Sequence, residues 1–242
     1  MSTAIILGAG DGIGGALAER FAEEGYHSVI VRRDINKANK AAEILKSKGY
    51  KASGHNADVR DPEQVKNLFD QAESTWGKIE VCIYNAGANV QKDLIDTSPK
   101  LFRQVWELAC FGGFLAAREC ALRMPKNGKG TLLFTSATSS QRSGKGYSAF
   151  ASAKFGLKAV AQAAAKELGP KNIHVGHVVI DCGVYTEAIR KRFELRNIDI
   201  NDLPDDSLAS PQSIAQAYWY LHTQPRDAWT HELDLRPFSE AW

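Results

Sequence analysis

The sequence predicts an α/β fold with a parallel sheet. Short apolar runs recur along the chain, and helical stretches of 10 to 25 residues separate them, which calls for crossover connections and not hairpins. A glycine-rich segment lies directly between the first run and the first helical stretch. The 242 residues suit a single domain spanning 1–242, large enough to fold without disulfide staples.

The first strand is expected at Ala4–Leu7, which leads straight into glycines and so reads as a strand and not a signal peptide. Ser28–Val31, Val81–Tyr84, Thr131–Phe134 and His174–Ile180 repeat the pattern. Ala52–Asn56 is a weaker run, and Glu232–Leu235 reads as a last, edge strand. Asp61-Pro62, Ser98-Pro99 and Ser210-Pro211 each place an N-cap side chain before a proline whose fixed φ suits the first helical turn. Gly25, Gly49, Gly77 and Gly169-Pro170 fall where helices should stop. Arg190–Asp206 has weak patterning and reads as a mobile loop or a small helical excursion. It follows the sixth strand, and loops after strand ends border the ligand crevice of open α/β sheets, so 190–206 is a candidate substrate loop.

Hydrophobic residues at 44% and charged residues at 24% exclude a disordered or collagenous chain. The net charge of +2 gives no footprint for a nucleic acid or an anionic membrane. No run approaches the roughly 20 apolar residues of a membrane helix. Cys82, Cys110, Cys120 and Cys182 lie in apolar stretches without CxxC spacing, which fits reduced thiols and a cytoplasmic protein. The histidines lack zinc-ligand spacing. His174 and His177, three apart on a predicted strand, should point to opposite faces.

The glycine segment carries the first chemistry. Gly8, Gly10, Asp11, Gly12, Ile13 and Gly14 connect the first strand to a helix expected at Gly15–Glu24. Glycines allow a tight turn, let a pyrophosphate approach bare backbone, and permit close helix–strand packing. The helix N-terminus then offers amide donors to the phosphates. The second strand ends in Arg32, Arg33 and Asp34. At that strand end an acid accepts from a ribose 2′-hydroxyl, whereas arginine faces a 2′-phosphate. The two arginines favour NADP(H) over NAD(H), since guanidinium forks match phosphate oxygens. Asp34 is the counter-signal: it either caps the next helix or reaches the ribose.

With these residues in place the chain resembles the short-chain dehydrogenase/reductase family almost end to end. Gly8, Gly12, Ile13 and Gly14 are similar to its cofactor loop, with Leu7 where a Thr usually stands. Asp58 and Val59 look like its adenine-contacting Asp-Val, and Asn85, Ala86 and Gly87 match its Asn-Ala-Gly beside the cofactor. Thr186 matches the Thr that contacts the nicotinamide carboxamide. The resemblance implies a Rossmann-like, doubly wound, seven-stranded parallel sheet with helices on both faces. It also implies hydride transfer between a nicotinamide and a small carbonyl/alcohol substrate. In the family a Tyr donates the proton, a Lys four residues later tunes it and holds the ribose, a Ser polarises the carbonyl, and an Asn holds a relay water.

Here the pattern breaks. Lys154 is kept, but Phe150 replaces the Tyr, Ala137 the Ser and Ala109 the Asn, and Ile180-Asp181 replaces a later Pro-Gly. Two readings follow. One is a working oxidoreductase whose donor has moved, with Tyr147, Asp181 and the serines at 136, 139 and 140 as candidates. Tyr147 would donate, Ser136 or its neighbours would polarise a carbonyl, and a buried Asp181 would act as an acid. The other is an NADP(H)-binding sensor or interaction partner with weak or no chemistry. The first expects an enclosed pocket by the nicotinamide with a titratable group in reach; the second expects a filled or closed pocket and an exposed apolar interaction surface.

Trp219, Trp229, Trp242, Tyr218, Tyr220 and Phe238 crowd the C-terminal stretch, and Phe150–Leu168 has an Ala-rich helical face. Together with the resemblance they predict a homodimer or homotetramer; the alternative is that the aromatics cover the core edge of a monomer.

Overall fold

The computed structural model describes residues 2–240, so Trp242 lies outside the described residues. The strands are β1 (Thr3–Leu7), β2 (His27–Arg32), β3 (Ala52–Asn56), β4 (Ile79–Tyr84), β5 (Gly130–Ala137), β6 (Ile173–Ile180) and β7 (Glu232–Leu235). The helices are α1 (Ile13–Glu23), α2 (Ile35–Ser47), α3 (Pro62–Trp76), α4 (Pro99–Trp106), α5 (Gly112–Asn127), α6 (Ser148–Leu168), α7 (Glu187–Glu194) and α8 (Pro211–Thr223). All pairings in the sheet are parallel, in the order β3-β2-β1-β4-β5-β6-β7. This is the doubly wound, seven-stranded sheet expected. The order reverses between β1 and β4, which opens a crevice at their C-terminal ends.

Alternation along the strands makes two cores. Ile5 and Leu7 of β1 face α3, α5 and α6, where Phe69, Leu115 and Leu157 pack on them. Ala4 and Ile6 face α1, α2 and α8, with Phe21, Leu45 and Tyr218. The capping signals hold: Asp61, Ser98 and Ser210 each accept from amides of the turn they open. Asp34 likewise accepts from the amides of Asn36 and Lys37 at 2.9 and 3.2 Å. The weakly patterned stretch divides into the short α7 and a single 3-10 turn at Ile200–Asp202.

One helical stretch is interrupted. Between α4 and α5 the chain makes a π-helical turn at Glu107–Phe111. The Tyr84 hydroxyl, from β4, donates to the Leu108 carbonyl in that turn. A Cβ on Gly112 would run into the same hydroxyl, so the glycine makes room for it.

Most C-terminal aromatics cover the core. Tyr218 is fully buried, Trp219 meets Phe21 edge-on at 5.3 Å, and Trp229 stacks on His174 at 4.9 Å. Tyr220 and Phe238 are exposed. Among the described residues no helix is long and apolar enough to cross a membrane. All four cysteines are unpaired.

Candidate cofactor cleft and active site

The crevice at the β1–β4 switch is shaped by backbone contacts that only glycine permits. Gly8 has φ +85°, and a Cβ there would sit 2.6 Å from the Ala86 nitrogen. Asn85 ties the two loops together: its side chain donates to the Gly8 carbonyl at 2.9 Å, and its amide donates to the Leu7 carbonyl at 2.9 Å. A Cβ on Gly14 would fall 2.6 Å from both the Ala9 Cα and the Gly8 carbonyl, so α1 packs close against the loop. Gly10, by contrast, borders open space.

Side chains cap α2, α3, α4, α7 and α8, whereas α1, which starts after Gly12, has no side-chain cap, and neither do α5 and α6. The first amides of α1 are therefore left for a ligand, and they carry the positive end of the helix dipole. Ile13 packs its side chain against the α1 core and leaves its backbone at that opening. A cavity of about 340 Å³ runs past Gly8, Gly10, Val59, Ala86, Gly87 and Arg33. These residues fit a dinucleotide.

The charged residues at its rim divide the work. Arg32 is bound to Asp11 of the glycine loop at 2.7 Å, which ties that loop to the end of β2. Arg33 is exposed and makes no ion pair among the described residues. Asp58 is held by Arg60, whose Nε lies 2.9 Å from one carboxylate oxygen, and this pairing lowers the Asp58 pKa. Thr186 caps α7 through Ile189, and its methyl group would meet a Cβ on Gly12 at 2.7 Å.

Lys154 reaches this cleft from α6. Its Nζ donates to the Thr135 carbonyl at 2.8 Å and lies 3.3 Å from where a Gly87 Cβ would be. The side chain is buried, and burial pulls its pKa down to about 8.

Beside Lys154 the positions that break the family pattern converge. Phe150, Ala109, Val105, Ala149 and Ala153 form one apolar cluster, against which Ala137 and Tyr147 also pack. The three losses read in the sequence therefore share a single seam. Phe150, Ala109 and Ala137 are neighbours in this apolar cluster.

A second cavity of about 320 Å³ opens against this seam, lined by Asn89, Ala137, Thr138, Ser139, Arg142, Ser143, Tyr147, Phe150 and Cys182. It brings together only some of the expected catalytic groups. Tyr147 and Ser139 line it, with the Tyr147 ring 6.4 Å from that of Phe150. Ser136 does not: it is buried, and its hydroxyl has no hydrogen-bond partner. Ser140 donates to the Ala137 carbonyl at 2.9 Å and serves the turn. Asp181 also lies behind the wall. It accepts from the Thr138 hydroxyl and from Arg142 at 3.1 Å, and Arg236 stands 3.3 Å away. Asp181 therefore does not line the cavity, and its oxygens are engaged by Thr138 and Arg142.

His177 is not part of either cavity. Its Nδ1 lies 3.0 Å from Glu232 on β7, and burial lowers its pKa to about 4. No sequence pattern marks Arg142. It sits in a Ser-Gly-Lys stretch without periodicity, and its partner Asp181 is 39 residues away.

The chain's similarities agree with this architecture. Residues 2–196 match the short chain dehydrogenase family, and the chain belongs to it. The 7alpha-hydroxysteroid dehydrogenase of Escherichia coli is 29% identical over 228 residues, covering 93% of this chain and 88% of that one. A crystal structure of a short-chain dehydrogenase from Rhodopseudomonas palustris superposes with a TM-score of 0.83 at 39% identity, covering 98% of this chain and 99% of that one. A metagenomic short-chain oxidoreductase crystallised with NADP shares the fold, with a TM-score of 0.83 at 20% identity and coverage of 99% and 98%. The fold and site thus define a short-chain oxidoreductase.

Proposed function

We propose that the protein is an NADP(H)-dependent oxidoreductase acting on a small carbonyl/alcohol pair, with Tyr147 in place of the family's proton donor. The observation that carries this reading is the open cavity where Tyr147 and Ser139 meet the Phe150 seam. A cofactor-binding partner without chemistry is expected to have that space filled or closed, and the cavity is neither.

The dinucleotide, when bound, supplies the hydride that a carbonyl carbon accepts. The residues of this chain do the rest. The uncapped amides of α1 and the bare backbone of Gly8 and Gly10 take the pyrophosphate. Arg33 takes the 2′-phosphate, while Asp34, the acid that would read a ribose hydroxyl, is spent on capping α2. Lys154 holds the ribose beside Gly87. Phe150, Ala109 and Ala137 keep water from the reacting bond, which strengthens every electrostatic interaction there. Ser139 polarises the carbonyl, and the Tyr147 hydroxyl gives its proton to the oxygen that gains charge.

The same reading includes a cytoplasmic homodimer or homotetramer. Its support is the unpaired cysteines and the exposed Phe102, Trp106, Phe114 and Phe155 on α4, α5 and α6.

The test is NADPH consumption against aldehydes, ketones and quinones from pH 5 to 9, with the Tyr147→Phe variant alongside. Loss of a general acid should cost about 10²–10⁴ in rate. Turnover unchanged in the variant would remove Tyr147 from the mechanism. Tight NADPH binding without turnover of any acceptor would favour the cofactor-binding partner.

A further inference from the structure

The wall of the cavity beside Tyr147 contains one charged side chain, Arg142. A guanidinium in such a place needs a reason, because half of its surface is withdrawn from water and its charge must be balanced. Part of the reason lies behind the wall. Asp181, with its side chain 3% exposed, accepts from Nη2 of Arg142 at 3.1 and 3.3 Å.

That bond uses only one tip of the fork. Nε and Nη1 of Arg142 have no hydrogen-bond partner among the described residues, and the side chain is 52% exposed. Asp181 has further partners besides Arg142: the Thr138 hydroxyl donates to one oxygen, and Arg236, which also pairs with Asp234, stands 3.3 Å from the other. The arrangement fixes one edge of a planar cation and leaves the remaining donors at the cavity. A guanidinium anchored in this way loses little further freedom when it binds a planar anion.

We propose that Arg142 is a carboxylate-recognition residue, and that the substrate is a small oxo acid or hydroxy acid. The cavity volume of about 320 Å³ sets the size. It lies at the lower end of the roughly 300–1,000 Å³ found for ligand sites. Nε and Nη1 remain as donors at the cavity, and a carboxylate takes two donors from one fork. Tyr147 and Ser139 line the same cavity, so an acid held by Arg142 has its carbonyl within the space they border. The inference rests on the oxidoreductase reading for the carbonyl. The carboxylate itself does not depend on that reading, and the experiment separates the two.

The binding arm titrates hexanoate and hexanamide calorimetrically into the protein saturated with NADP⁺. The kinetic arm compares 2-oxohexanoate with its methyl ester as acceptors for NADPH. Hexanoate should bind about tenfold more tightly than hexanamide, and the acid should show a similar advantage in KM. Arg142→Gln should erase both preferences, and Arg142→Lys should keep part of them. Should Arg142→Gln fail to fold, as judged by circular dichroism, the lysine variant and the wild-type preference still decide. Equal binding of hexanoate and hexanamide in the wild type, or a preference that survives in Arg142→Gln, overturns the proposal. A hexanoate preference that depends on Arg142 without turnover of either acceptor upholds the carboxylate site and overturns the oxo-acid substrate instead.

Discussion

Replacing Lys154 with methionine should make the unliganded protein more stable. The Lys154 side chain is buried, and its ammonium has one hydrogen bond, to the Thr135 carbonyl at 2.8 Å. Among the described residues no carboxylate pairs with it, and the Phe150 ring, 5.8 Å from Nζ, is its nearest aromatic face. Burial moves its pKa from 10.5 to about 8. At about 1.4 kcal/mol per unit, keeping the charge inside costs on the order of 3 kcal/mol. Methionine fills similar space without charge, and the lost charge-assisted hydrogen bond offsets about 2 kcal/mol. A net gain of about 1 kcal/mol remains, or roughly 3 °C in Tm for a chain of this size.

The pH dependence identifies the cause. The folded state disfavours the protonated lysine, so the penalty is complete below pH 8. It fades as pH rises from about 8 to 10.5, where the unfolded chain alone still holds the proton. Urea unfolding of wild type and Lys154→Met without cofactor, at pH 7 and pH 10, measures this through the midpoints at constant m. The gap between the proteins should be wide at pH 7 and nearly closed at pH 10. A variant less stable than wild type, or a gap that does not change with pH, refutes the reasoning.

Two further predictions concern the cleft. Gly8→Ala must place a Cβ 2.6 Å from the Ala86 nitrogen at a φ of +85°. The backbone term alone is about 1–2 kcal/mol, so a lowered melting temperature and loss of NADPH fluorescence enhancement are expected; a stable, binding-competent variant would contradict the cradle. Arg33→Ser should weaken NADPH binding about tenfold and leave NADH binding unchanged, which parallel titrations of the two cofactors would show. Equal losses for both would take Arg33 away from the 2′-phosphate.

Much of this fold was legible because its signals are local. A cap, a proline and a glycine mark a helix within four residues, and Ser98-Pro99 and Ser210-Pro211 did so without help from the rest of the chain. β5 was harder. Its apolar run suggests an end at Phe134, yet the strand continues through Thr135, Ser136 and Ala137 because β6 pairs with each of them. The sheet supplies what the side chains do not advertise. The cofactor loop was readable for the same local reason, since glycine spacing reports backbone approach directly. The substrate cavity was not. Arg142 and Asp181 meet only after the sixth strand has crossed over, and nothing near either residue announces the other. The substitutions at Phe150, Ala137 and Ala109 were visible one by one. That they are neighbours in one seam was visible only in three dimensions.

The π-helical turn at Glu107–Phe111 works as a gear between two helices. A wide turn of this kind accommodates one more residue than a regular one, and each residue advances a helix by about 100°. α5 is thereby free to set Leu115 and Cys120 on the sheet, while α4 turns Leu101 and Val105 onto Phe150. Removing a single residue from the turn would restore a regular helix and swing α4 about 100° out of phase. Leu101 and Val105 would then leave Phe150 uncovered. The apolar side of the cavity is thus set by residue count as well as by residue type, and an insertion or deletion in this short stretch would retune it as a change at Ala109 would.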